Sequence, residues 1–283
     1  VYAQGLTDPA AVELGAATVS GTSWTFTPAA NLADGAYTIT LRIEDASGNG
    51  TSVGSATATI DTATPTAGTL SFTGLSDTGS AQSPAVTTDD TYSLSLSGQE
   101  AGATVTYQVS TDGATYTDLG SASIVSAGVG DHYYRAAVVD AAGNVSHSNV
   151  LQVAVDTTAP TVMDLEFNVT DGAVKVGETV TLSFTMSDVV EVEGTPTLAL
   201  SNGATATYST GSGTDTLVFS YVVQANDDAT SLTTATNALT GTVKNLAGLS
   251  ASATAFDAPT LATPALDVDT TAPTVTGIVY GTN

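Results

Sequence analysis

The side chains with the greatest chemical capacity in this 283-residue chain are carboxylates, and they recur at fixed places. Asp61, Asp156 and Asp269 open the segments Asp61-Thr-Ala-Thr-Pro-Thr66, Asp156-Thr-Thr-Ala-Pro-Thr161 and Asp269-Thr-Thr-Ala-Pro-Thr274, spaced by 95 and 113 residues. Asp45 and Asp140 open a second motif, Asp45-Ala-Ser-Gly-Asn49 and Asp140-Ala-Ala-Gly-Asn144, and each precedes the next of those aspartates by 16 residues. Carboxylate oxygens suit a hard divalent cation such as Ca2+, which takes six to eight oxygens at about 2.4 Å. The same residue types also build tight turns with solvated acids. Both readings stand at this level, and Asp77, Asp89 and Asp90 read mainly as solvated loop acids.

Other chemistries find less support. Cysteine is absent, which removes disulfides and thiolate metal sites. Only two histidines occur. His132 aligns with Tyr37 at the start of a strand and His147 follows a turn, so both read as packing or surface residues. The sequence contains no nucleophile elbow, phosphate-binding glycine loop or zinc motif. Its acids fall at turns and linkers, so no glycosidase carboxylate pair is identifiable. The chain therefore reads as no enzyme.

Twenty-eight Asp and Glu against four Lys and Arg give a formal net charge of −24. Phosphate binding needs clustered cations, so nucleic acid is excluded as a partner, and anionic membrane surfaces are disfavoured. Arg42, Arg135, Lys175 and Lys244 are scattered, which argues against an anion pocket. No apolar run reaches the roughly 18 residues of a membrane span, so no membrane insertion is expected. Val1 to Leu14 lack a basic leader and a long apolar stretch, and the chain reads as an excerpt of something longer.

The elements that must position these acids are strands. Tyr37, Ile39, Leu41 and Ile43 alternate with polar residues, as do Tyr92, Leu94 and Leu96, then Val105, Tyr107 and Val109, then Leu217, Phe219, Tyr221 and Val223. A period of two marks half-buried antiparallel strands. Asp112-Gly113 and Asn202-Gly203 predict hairpin turns with positive φ at both central positions. In the second repeat, strands are expected near 66–73, 90–97, 104–110, 115–119, 121–126, 132–139 and 149–155. Seven short strands in about 95 residues fit a two-sheet Greek-key sandwich. A short helical turn is expected within 226–237. The motifs divide the chain into 1–60, a partial repeat lacking its first strands; 61–155, a complete repeat; 156–268, a divergent complete repeat; and 269–283, the start of another.

Trp24-Thr-Phe-Thr-Pro28, Leu32-Ala-Asp-Gly-Ala-Tyr37, the Asp-x-x-Gly-Asn turns and the Asp-Thr-Thr-Ala-Pro linkers resemble bacterial immunoglobulin-like repeats of giant Gram-negative surface adhesins, many with repeats-in-toxin segments and type I secretion. Gly194-Thr-Pro-Thr-Leu198, Ala206-Thr-Tyr208, Gly211-Ser-Gly-Thr214 and Leu217-Val-Phe-Ser-Tyr221 resemble a sister type. The resemblance implies all-β, tandem immunoglobulin-like sandwiches in an elongated array, export to the bacterial cell surface, and calcium at domain junctions. The third repeat departs from the pattern. It reads Asn245-Leu-Ala-Gly-Leu249 in place of Asp-x-x-Gly-Asn, and it carries about eight extra residues near 258–265.

In such a sandwich the loops after the second and sixth strands share a pole with the entering linker. That topology brings Asp61, Glu100 and Asp140 together as a Ca2+ site, with Asn144 ligating or only closing its turn. The next junction would use Asp156 and Asp188 with Glu191 or Glu193. Asp45 would face a linker outside this chain, and Asp269 would serve a following repeat. The function expected is a stalk segment, stiffened by calcium between neighbouring repeats of the same chain, that projects a binding region for adhesion or biofilm formation. The alternatives are a glycan- or protein-binding module, an accessory segment of a secreted enzyme, and a filament subunit joined by strand exchange.

Overall fold

A computed structural model describes residues 2–5, 12–80, 83–169, 172–257, 266–278 and 281. The second repeat is a sandwich of two sheets. One has the strands Thr117–Gly120, Thr104–Ser110, Gly130–Val139, Leu151–Val155 and Ala85–Thr87 in that order, with Val145–His147 paired to Gly130–Val139. The other has Ile124–Ser126, Thr91–Ser97 and Thr69–Thr73. Ala85–Thr87 pairs in parallel with Leu151–Val155, whereas the other pairings of this repeat are antiparallel. The chain thus crosses between the sheets in Greek-key order.

Alternation sets the inner faces. Leu70, Tyr92, Leu94, Val125, Tyr134, Ala136, Val153 and Val155 are buried together between the sheets. Two elements escaped the sequence reading, Ala85–Thr87 and Val145–His147. Three-residue strands are too short to show a period. Each depends on a partner strand for its hydrogen bonds.

The third repeat is a larger sandwich. Its Thr179–Leu200 strand runs 22 residues by bending at register shifts. The first half pairs with Val162–Phe167 and Thr214–Val222, and the second half with Thr205–Thr210 and Thr234–Asn245. Ala173–Val174, Leu266–Val268 and Ala229–Leu232 form the opposing sheet. Leu182, Phe184, Leu217, Phe219 and Phe256 fill the core.

The helical turn expected within 226–237 is not found. Residues 229–232 and 234–245 are strand, with Leu232 and Thr234 buried. Asn226, Ser231 and Asn237 take positive φ, which no helix accommodates. The threonine-rich composition favours the extended form it adopts. Helical structure among the described residues is a single 3-10 turn, Ala253–Phe256, capped by the Ser252 side chain. The extra segment 258–265 lies outside the described residues.

The two hairpin expectations need a correction. Only the glycine takes positive φ in each, +70° at Gly113 and +87° at Gly203. At 200–204, Gly203 N–H donates to Leu200 O and Leu200 N–H to Ala204 O, a turn followed by a left-handed glycine rather than two left-handed residues. At 110–115 the Asp112 carboxylate accepts from Ala114 N, Thr115 N and the Ser110 hydroxyl, which stabilises a wider loop.

The first repeat presents the sheet Val12–Glu13, Tyr2–Gly5, Gly35–Glu44, Gly50–Ile60 and a hairpin, Thr18–Ser20 with Ser23–Thr25. Tyr37, Ile39 and Leu41 are half-buried, while Ile43 and Trp24 are exposed. Among the described residues no helix is long and apolar enough to cross a membrane.

Candidate functional site at the seams between repeats

Each linker aspartate stands at the end of a sandwich's last described strand, and Asp61 and Asp156 also stand where the next sandwich begins. Asp61 follows Gly50–Ile60 directly, Asp156 follows Leu151–Val155, and Asp269 follows Leu266–Val268. Each carboxylate folds back on its own linker: Asp61 accepts from Ala63 N at 3.1 Å, Asp156 from Thr158 N at 2.9 Å, and Asp269 from Thr271 N at 2.9 Å. Proline cannot continue a ladder, and Pro65 and Pro160 are buried as the chain enters the next sandwich.

At the first seam both expected loops reach the linker. Glu100 N–H donates to Thr66 O at 2.9 Å, and the Asn144 amide donates to Asp61 O at 3.1 Å. Asp140 closes its own turn. Its carboxylate accepts from Ala142 N, Asn144 N and the Asn144 side-chain amide, all within 2.9 Å. The Asn144 side chain, then the turn N–H groups, hold its pKa below the usual carboxylate range. Asp45 and Asn49 repeat this turn in the first repeat, with the same consequence. Asn144 therefore both closes the turn and grips the linker.

The second seam is built on the same plan with different side chains. Ser187 N–H donates to Thr161 O at 2.8 Å, the counterpart of the Glu100 bond, which places Asp188 beside the linker. Asp188 accepts from the Ser187 hydroxyl. Asp188, Glu191 and Glu193 all lie within the Thr179–Leu200 strand rather than in a loop, and Glu193 pairs with Lys244 at 2.8 Å. The Asn245 amide donates to Asp156 Oδ2 at 2.7 Å and to Thr158 O at 2.9 Å.

Two residues were missed. Asp34 accepts from Thr62 N and the Thr62 hydroxyl at 3.0 and 2.8 Å. Asp228 accepts from Thr270 N and its hydroxyl at 2.6 and 2.7 Å, and from the Thr271 hydroxyl. The Thr270 backbone and hydroxyl bonds keep the Asp228 pKa low. Each acid belongs to the repeat that the linker leaves. The available signal was the threonine that invariably follows the linker aspartate here, a donor in need of an acceptor.

A Ca2+ ion asks for six to eight oxygens. The first seam gathers the segments of Asp61, Glu100 and Asp140. Among the described residues, however, no three acidic or histidine side chains stand close enough to hold a metal ion together. His132 serves packing, and His147 is exposed: His132 Nε2 shares a hydrogen bond with Gly128 O at 2.7 Å and stacks on Tyr134, in parallel with the Tyr37 hydroxyl bond to Ala33 O. His147 lies in Val145–His147, where burial and then the Arg135 charge push its pKa down.

The sandwich order and these repeated linkers define a tandem Ig-like array. Residues 6–62 and 64–157 match the family model described as a bacterial Ig-like domain. That match covers more than half of the chain, and the protein belongs to this family. Two solved structures are similar over 84% of the chain. One is described as a Ca2+-stabilized adhesin that helps an Antarctic bacterium reach out and bind ice, at 21% identity and a TM-score of 0.27. The other concerns host cell surface retention of a 1.5-MDa bacterial ice-binding adhesin, at 17% identity and a TM-score of 0.25. The chain spans 58% of the first structure's length and 76% of the second's. No curated protein matches the sequence.

Proposed function

We propose that this chain is a structural extender, a stretch of stalk in a bacterial cell-surface adhesin, and that it works without catalysis. The observation that carries this reading is the grip on the linker from both sides. At the first seam Thr62 is bonded to Asp34 of the repeat it leaves, and Asp61 O to Asn144 of the repeat it enters. A linker held at both ends loses hinge freedom, and a series of such repeats transmits length. A strand of about 12 residues at about 3.3 Å each makes a repeat of roughly 40 Å. The net charge of −24 keeps such an array soluble and self-repelling. The binding region it projects would lie elsewhere in the parent protein.

Calcium belongs to the same proposal. At the first seam the ion would be held by Asp61, Glu100 and Asp140, whose segments meet through the bonds to Asp61 O and Thr66 O. It would neutralise like charges that otherwise repel. Small-angle scattering and calorimetry of the whole chain, in calcium and in chelator, test this. Calcium should lengthen and narrow the scattering envelope and raise a melting transition. Identical envelopes and melting curves in the two buffers would remove calcium from the reading.

A further inference from the structure

We infer that the seam between the second and third repeats is a direct, ion-independent interface, in which the Asn245–Leu249 turn of the third repeat is clamped between the linker and the 76–80 loop of the second. This deepens the stalk reading and rests on it only for its purpose, since the contacts stand by themselves.

Three observations converge. The first is the amide at Asn245, which occupies the place of the carboxylate in the sister turns. Its Oδ1 accepts from Leu249 N at 2.9 Å, as Asp140 accepts from Asn144 N. Its Nδ2 has no counterpart in a carboxylate and donates to Asp156 Oδ2 and Thr158 O. A donor therefore sits against the linker oxygen that a cation would use, and Asn245 is only 2% exposed.

The second observation is the loop from the other side. The Thr78 hydroxyl donates to Ala247 O at 2.9 Å and accepts from Thr88 N at 2.9 Å, and Ser80 N–H donates to Leu246 O at 3.2 Å. Asp89 braces this loop by accepting from Ser76 N at 2.8 Å. Ala247 is fully covered, whereas Ala142, at the same place in the second repeat's turn, is exposed.

The third is the closeness of the two backbones. A Cβ on Gly79 would lie 2.2 Å from Leu246 O, and one on Gly248, at φ +86°, 2.4 Å from Thr78 O. The interface thus has its own donors, acceptors and steric fit on both faces. It satisfies the linker carboxylate without an ion.

The absence of cysteine allows spin labels at chosen places in the whole chain. Ser126→Cys with Thr207→Cys spans the second seam, and Thr57→Cys with Ser126→Cys spans the first; all three positions are exposed. The second-seam pair should give one narrow distance distribution, unchanged between calcium and chelator. Gly248→Val should abolish that narrowness. Thr78→Val, which removes only the hydroxyl relay and leaves the turn intact, should broaden it with both core melting transitions retained. A second-seam distribution that widens in chelator, or one indifferent to both variants, overturns the inference. If neither seam responds to chelator, calcium fails and this interface stands.

Discussion

Removing one hydroxyl from the core of the second repeat should cost more than removing two. Tyr92 and Tyr134 are buried, their hydroxyls lie 2.9 Å apart, and burial pushes both phenol pKa values up. Phe72 meets the two rings edge-on at 5.3 and 6.1 Å, and the rings meet each other edge-on at 5.9 Å, so the packing survives loss of an oxygen. In Tyr134→Phe the Tyr92 hydroxyl is left buried without its partner, a loss of about 1–3 kcal/mol. For a domain of this size the melting temperature should fall by about 4–8 °C per kcal/mol. Tyr92→Phe should behave alike. In the double variant no buried hydroxyl is orphaned, and its stability should return to within about 1 kcal/mol of the parent. Calorimetry of the whole chain reads this directly, because only the second repeat's transition should move. A double variant destabilised by the sum of the singles, or more, would refute the argument that the pair matters through mutual satisfaction.

Phe256→Ala should destabilise the third repeat alone, by about 3–5 kcal/mol. Phe256 is fully buried and meets Phe184 and Phe219 at 5.1 and 6.3 Å; the second repeat's transition should stay in place, as calorimetry can check. Acid should weaken the turns and seams. Asp140 and Asp228 have lowered pKa values and Asp112 one of about 2. Their contribution is therefore present above the unfolded value near 3.9 and is lost as pH falls through the folded values. Melting temperature should drop steeply below about pH 4, and a curve unchanged from pH 5 to 3 would contradict the assignment. His147 adds a smaller effect of earlier onset. Its lowered pKa means that acidification favours the unfolded, protonated form from about pH 6.5 downward. His147→Gln should remove that early loss from the melting curve.

The repeat motifs and the alternation of apolar residues made much of this architecture legible in the chain itself. Tyr92 and Leu94 point inward because a strand's side chains alternate, and the Asp-x-x-Gly-Asn turn closes because its acceptor and donors are four residues apart. Information of that kind is local. The strand Ala85–Thr87, and the strands where a helical turn was expected, depend instead on partners far along the chain, whereas Val145–His147 pairs with Ala137–Val139 across the adjacent turn and is merely too short to show a period. The seams are less local still. That Asn245 turns its amide to Asp156, 89 residues away, and that Thr78 reaches Ala247 across 169, follows from how two finished sandwiches meet. Sequence placed acids at the linker; only tertiary packing decided that asparagine amides of the repeat it enters and carboxylates of the repeat it leaves would be what grips it, because hydrogen bonds are directional and their partners are fixed only once both repeats have folded.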